Sequence, residues 1–188
     1  LFPAVAESAT YSLAVALISI WVLTLVNIRG VQEAGLVQIV TTVLKLVPLV
    51  LIGAVGLLWI DGRNFTPVNI SDQSNVAAIS AAAALTLWAY LGLESATVPS
   101  GNVRDPEKTI PRATVAGVLI AAVVYISVTT VAIGVIPSDQ LAASSAPLAD
   151  VARSMWGVTG GLLVAMGAVI SSFGTLNGFT LLTGQVPY

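Results

Sequence analysis

Histidine and cysteine are both missing from the 188 residues, and their absence removes several functions together. Disulfides cannot form, Cys/His metal sites cannot be assembled, and no catalytic constellation that uses an imidazole or a thiol is available. Charge is scarce as well. Lys and Arg number 7 and Asp and Glu 9, so 9% of the chain is charged, against about 25% in an ordinary soluble domain. With a net charge of −2 and no basic stripe to neutralise phosphates, nucleic acid is not an expected partner. No nucleophile–base pair is evident either, so the chain is not expected to be an enzyme or to hold a cofactor or metal. No secretory signal is visible in these residues, since no basic N-terminal region precedes a short apolar core and a small-residue cleavage site.

What fills the chain is apolar: 56% of residues are hydrophobic, and long windows carry no charge at all. A membrane-spanning helix needs about 20 such residues. Roughly five stretches qualify, near Tyr11–Ile28, Ala34–Ile60, Val76–Val98, Thr114–Ile136 and Val158–Leu182, separated by polar segments rich in Gly, Pro, Asn and Asp. The expected fold class is therefore all-α transmembrane. Barrel strands would show segments of about 10 residues alternating in polarity, which these do not. Arg104, Lys108 and Arg112 share the third loop and Arg29 lies in the first, whereas Arg63 and Arg153 stand singly in the second and fourth. The odd loops are then the cytoplasmic ones. In the fourth loop, Leu148, Val151, Ala152 and Met155 recur at helical spacing opposite Asp150 and Arg153, which predicts a short interfacial helix over about 146–156. The chain opens on Leu1 and stops at Tyr188 directly after an apolar stretch, so it reads as a single transmembrane piece of a longer protein.

Lys45 is the sharpest anomaly. It lies mid-span in TTVLKLVPLV, where an ionised lysine costs about 2.5–3.5 kcal/mol even on lenient insertion scales, so it should face protein or water. Gln38, Thr41, Thr42 and Lys45 fall at i, i+3, i+4 and i+7 and make one polar stripe. The bland alternatives are snorkelling or a structural hydrogen bond to a neighbouring helix. The second anomaly is the run LTLWAYLGLESATVPS, in which Gly92 and then Glu94 interrupt a greasy helix that ends at Pro99. A glycine, a carboxylate and a proline together predict a break near residue 92, and irregular backbone at membrane depth survives only where it is buried in protein or lines a cavity. The plain alternative is that the span ends at Leu93 and Glu94 sits at the interface. In SSFGTLNGFTLLTGQ, Ser171, Ser172, Thr175 and Asn177 share overlapping helix faces with Gly174 and Gly178. Close helix packing explains the small residues, and the hydroxyls are also suitable partners for an ammonium.

The LWAYLGLESA helix followed by the DPEKTIPRA loop resembles the amino acid/polyamine/organocation (APC) transporter family, and within it the bacterial basic amino acid/polyamine antiporters. The likeness runs over nearly the whole chain. It implies a partial LeuT-like bundle, with these stretches as about spans four to eight of a twelve-helix transporter built from two inverted repeats of five. Its partners would be an amino acid or related amine, the lipid bilayer, the remaining spans of the same transporter and, as an option, a second copy in a homodimer. The resemblance further implies substrate contacts at Trp88, Leu91, Gly92 and Glu94, with Trp88 packing over the substrate's side chain as part of an extracellular gate and Glu94 matching an acidic residue that serves substrate or proton coupling. Phe179 falls where the arginine/agmatine antiporters have a tryptophan on the pathway. At Lys45 the chain departs from those antiporters and resembles other amino acid transporters of the superfamily, in which a lysine replaces a sodium site and in some cases cycles a proton.

The expected function is therefore a sodium-independent secondary transporter of amino acids in the cell's inner (plasma) membrane, with proton coupling as an option. Lys45, Ser171, Ser172 and Thr175 are the expected coupling residues. One alternative is a basic amino acid/polyamine antiporter. From another class, a passive channel would more often show rings of like residues from several subunits, and a scaffold subunit would need neither a buried lysine nor an interrupted span.

Overall fold

The computed structural model describes residues 7–87, 90, 92, 97 and 100–185, without the side chains of Val31 and Gln185. Regular structure among the described residues is helical throughout. The elements are α1 (Ala9–Ile28), α2 (Val31–Val55), α3 (Asn75–Leu87), α4 (Pro106–Val135), α5 (Ser138–Ala143) and α6 (Pro147–Gln185), with short 3-10 turns after α2 and before α4. Among the described residues, four helical runs are long and apolar enough to cross a membrane: Ala9–Ile28, Gln32–Trp59, Pro106–Val135 and Pro147–Gly184.

The ends of these helices follow from local chemistry. Ser8 caps α1 by accepting a hydrogen bond from the Tyr11 N–H. Gly30 takes φ +132° and lets the chain leave α1 and enter α2 at once, its N–H donating to the Asn27 carbonyl at 3.1 Å. Asp105, at φ 48°, turns the chain into α4, and Pro106 occupies the first turn, where its missing N–H removes no helical bond. This is why α4 starts two turns before Thr114. Within the apolar helices, Ser19, Thr24, Ser127 and Thr180 each donate to the carbonyl four residues earlier, so the hydroxyls carry their own acceptors into a solvent that offers none.

Of the third apolar stretch, expected to span 76–98 with a break near 92, the described part includes the 13-residue helix α3, Asn75–Leu87. Beyond it, among the described residues, Gly92 sits in a turn at φ +94°, a conformation incompatible with continuing an α-helix. The last helix also differs from a plain span. α6 runs as 39 helical residues, but Gly157 at φ 68°, ψ −158° divides it into a preceding segment and the long helix that follows.

Two compact units make up the chain, one of Leu1–Leu51 with Leu148–Tyr188 and the other of Ile52–Pro147. In the first unit, Val151, Ala152 and Met155 are buried on one side of the segment before Gly157, opposite the exposed Asp150–Arg153 ion pair. The chain doubles back tightly there. A Cβ on Gly160 would collide with the Ala152 carbonyl oxygen, and one on Gly161 would lie 3.3 Å from the Ala149 carbonyl oxygen. Gly157 itself has open space around a Cβ, so its requirement is conformational only. Gly157→Ala should therefore destabilise by about 1–3 kcal/mol through backbone strain without any clash. A thermal melt in detergent that matches the wild type would show that the corner relaxes.

In the second unit the end of α4 is tied to the turn after α2. The Gly134 carbonyl accepts from the Asp61 N–H at 2.8 Å and from Asn64 Nδ2 at 2.9 Å. Gly134 has no room for a side chain, since a Cβ would lie 2.9 Å from Ile60 Cγ1 and 3.2 Å from the Phe65 ring. Val128, Val131 and Ala132 are buried beside this knot, and Gly53 packs as closely on Ser127, with 2.9 Å between its Cβ position and the Ser127 Cβ. Tyr90 and Tyr125 meet edge to face, with ring centroids 5.9 Å apart at 75°.

Candidate functional site

Within the first unit, α2 and the long part of α6 run antiparallel and touch through glycine. A Cβ at Gly167 would lie 2.8 Å from Pro48 Cγ, one at Gly174 2.6 Å from Thr41 Oγ1, and one at Gly178 3.6 Å from Gln38 Oε1. Bare glycine faces let two helix backbones approach this closely, and in lipid such packing replaces the missing hydrophobic drive between helices. Three contacts in sequence also fix which residues stand level with one another. Lys45 lies between Thr41 and Pro48 on α2, so its level on α6 is between Gly174 and Gly167, at Ile170 and Ser171.

The polar stripe of α2 thus faces α6 at its lower and middle turns. Lys45, Thr41 and Gln38 are half-buried, as are Ile170 and Ser171. Lys45 makes no ion pair or hydrogen bond with another described residue, so the expected bond from its ammonium to Ser171, Ser172 or Thr175 is not among those present. Ser172 donates to the Ala168 carbonyl at 3.0 Å and Thr175 to the Ser171 carbonyl at 2.9 Å, each spending its proton on its own helix. Their oxygens keep acceptor capacity.

Ser171, Ser172, Thr175 and Phe179 do come together, around an open pocket of about 390 Å³ shared with Leu176 on one side of α6. Phe179 is 61% exposed there. Gly92 borders another pocket, of about 410 Å³, whose other walls include Val103, Thr109, Ala113 and Gly117 at the start of α4. Trp88, Leu91 and Glu94 lie outside the described residues.

The interface also holds a group of amides that the apolar pattern hides. Asn177 on α6 is fully buried. Its Nδ2 donates to the Ala34 carbonyl at 3.0 Å and to Gln38 Oε1 at 3.3 Å, both on α2, while its Oδ1 accepts from Asn27 Nδ2 of α1 at 3.1 Å. Asn27 Nδ2 donates in addition to the Leu23 carbonyl at 2.8 Å, and Asn27 Oδ1 is buried without a partner among the described residues. Interhelical hydrogen bonds in membranes average about 0.6 kcal/mol each and reach about 1.7 kcal/mol. Asn27 carries a signal in sequence, an amide inside an apolar span, but its place beside Ile28 and Arg29 disguises it as part of the loop.

The amino acid permease family model matches residues 1–188 of the chain. Among curated proteins, the chain is similar to the cadaverine/lysine antiporter of Escherichia coli strain K12, with 35% identity over 167 residues, covering 88% of this chain and 38% of that protein. It is similar to the putrescine transporter PotE of Haemophilus influenzae, at 36% over 171 residues, 89% of this chain and 39% of that one. It is also similar to the serine/threonine exchanger SteT of Bacillus subtilis strain 168, at 34% over 177 residues, 93% of this chain and 40% of that one. The chain spans about two fifths of the length of these relatives.

Proposed function

Because this chain belongs to the amino acid permease family, we propose that the whole protein is a secondary transporter that moves amino acids or related amines across the inner membrane by alternating access, without sodium. The observation that carries this reading is the placement of Lys45. It stands in a polar stripe of a membrane helix, level with Ser171 and between two glycine contacts that hold α2 against α6. An ammonium at that depth supplies a fixed positive charge where an ion-coupled transporter would need a bound cation. Hydroxyl oxygens of Ser171, Ser172 and Thr175 are the nearby acceptors it could engage when the helices move.

Relatives named for cadaverine and lysine, for putrescine, and for serine and threonine support a substrate with an amino group and leave its side chain open. Glu94 favours the basic amino acid or polyamine reading, since a carboxylate in a span complements a second ammonium on the substrate. Competition by unlabelled amino acids and diamines against labelled substrate in vesicles tests the class. Diamines and basic amino acids should compete best, and equal competition by sugars or carboxylic acids lacking an amine would overturn the reading. Trp88 is proposed to wall the substrate's side chain, a role suited to a flat aromatic face over an alkyl or cationic group. Trp88→Ala should weaken substrate affinity on the order of tenfold, equivalent to about 1.4 kcal/mol, with little change in the melt. A large melt shift at unchanged affinity would place Trp88 in the packing core.

A further inference from the structure

The start of α4 carries a pair of cations that no described residue neutralises. Lys108 and Arg112 stand one turn apart on one face of the helix, both exposed, and neither side chain makes an ion pair or hydrogen bond with another described residue. The carboxylates nearby do not answer them. Asp105 precedes the helix, and Glu107 is set about 100° round it from Lys108. Past the two cations the same face is apolar: Val115, Leu119 and Ile126 follow Arg112 at i+3, i+7 and i+14, all of them exposed. Pro111 and Ala116 are short, so Arg112, Val115 and Leu119 rise around them and enclose a groove of about 420 Å³.

The level of this groove identifies its occupant. From Val115 to Val135 α4 carries no charge and is about 30 Å long at 1.5 Å per residue, which matches the hydrocarbon core of a bilayer. Arg112 and Lys108 then stand at headgroup level, with the groove running from Arg112 into the acyl region. We propose that the groove holds an anionic phospholipid, its phosphate between Lys108 and Arg112 and one acyl chain along Val115 and Leu119. A guanidinium takes a phosphate through two parallel hydrogen bonds, and the ammonium one turn away adds a second charge to the same group. Two cations facing one phosphate leave a surplus of positive charge, so a headgroup with its own ammonium fits worse than one without. Phosphatidylglycerol meets that requirement and phosphatidylcholine does not. Snorkelling alone would bring the cations to this depth, but it makes no use of a groove. The proposal rests on α4 spanning the membrane and not on which substrate the transporter carries.

Retention of lipid by the intact transporter in mild detergent, read by native mass spectrometry across a lipid titration, tests the site. Phosphatidylglycerol should bind several-fold tighter than phosphatidylcholine. Arg112→Gln should weaken phosphatidylglycerol binding about fivefold, the equivalent of about 1 kcal/mol for one cation near an anionic surface, and Lys108→Gln should act in the same direction. Ala116→Trp fills the groove without touching a charge and should also weaken binding several-fold. Arg29→Gln removes a cation from a different loop and should change nothing. Excess inorganic phosphate has no chain for the groove and should not displace the lipid. Equal retention of the two lipids would overturn the proposal, as would unchanged binding in Arg112→Gln, the result expected if another span of the transporter covers this face. Loss of lipid in Arg112→Gln but not in Ala116→Trp would reduce the site to diffuse charge attraction and overturn it too, and displacement by phosphate would make it a free-anion site instead.

Discussion

Lys45→Met is expected to cut transport by roughly tenfold or more, about 1.4 kcal/mol on the limiting step. Methionine matches the length of the lysine stem and removes only the charged head, so the packing of α2 on α6 between Pro48–Gly167 and Thr41–Gly174 survives the change. What is lost is an ammonium in a half-buried position of a membrane helix. A charge at that depth has to be met by oxygens of the protein or by water, and the groups that meet it change as the helices move between states. A side chain without the charge removes that part of the cycle. The measurement is initial uptake into vesicles, normalised to folded protein. Full activity of Lys45→Met would reduce Lys45 to a packing residue.

Gly174→Leu is expected to have the largest effect on stability. Its Cβ alone would come within 2.6 Å of Thr41 Oγ1 and 3.0 Å of Thr41 Cβ, and both partners are helix-borne and cannot step aside. Overpacking of this kind costs about 1–3 kcal/mol, which corresponds to a fall of about 2–12 °C in the melting temperature of a chain this size. Gly184→Leu serves as the control, because nothing lies within 4 Å of a Cβ there. Equal melts for the two variants would show that α2 and α6 are not held by this contact in the membrane.

The helical class was legible because apolar windows of spanning length leave no alternative but helices or alternating strands, and alternation is absent. The ends of helices were less legible. Pro106 and Pro111 looked like breakers in the third loop, yet Pro106 sits in the first turn of α4, where proline is tolerated, and Pro111 lies inside that helix, which continues past it without one helical bond. The third stretch has the composition of a full span, but composition carries no dihedral angle, and Gly92 at φ +94° marks a turn that hydropathy alone could not place.

At the candidate site, the polar stripe from Gln38 to Lys45 could be read from spacing because a helix repeats every 3.6 residues. The partner of that stripe could not, since which helix face it meets depends on contacts 130 or more residues away in sequence, as between Gln38 and Asn177 at a separation of 139. The serine and threonine hydroxyls near Lys45 were identifiable as acceptors. Their preference for carbonyls of their own helix, seen at Ser172 and Thr175, follows from local geometry that a list of polar residues does not convey.

The most direct test of the central claim is counterflow in sodium-free proteoliposomes that hold the intact transporter. Vesicles loaded with unlabelled lysine, ornithine, putrescine or serine are diluted into trace labelled substrate, and uptake is followed over time. The account predicts transient accumulation driven by at least one internal amine and undiminished by the absence of sodium. Uptake that requires sodium, or equilibration at the same rate whether the vesicles are loaded or empty, would contradict it.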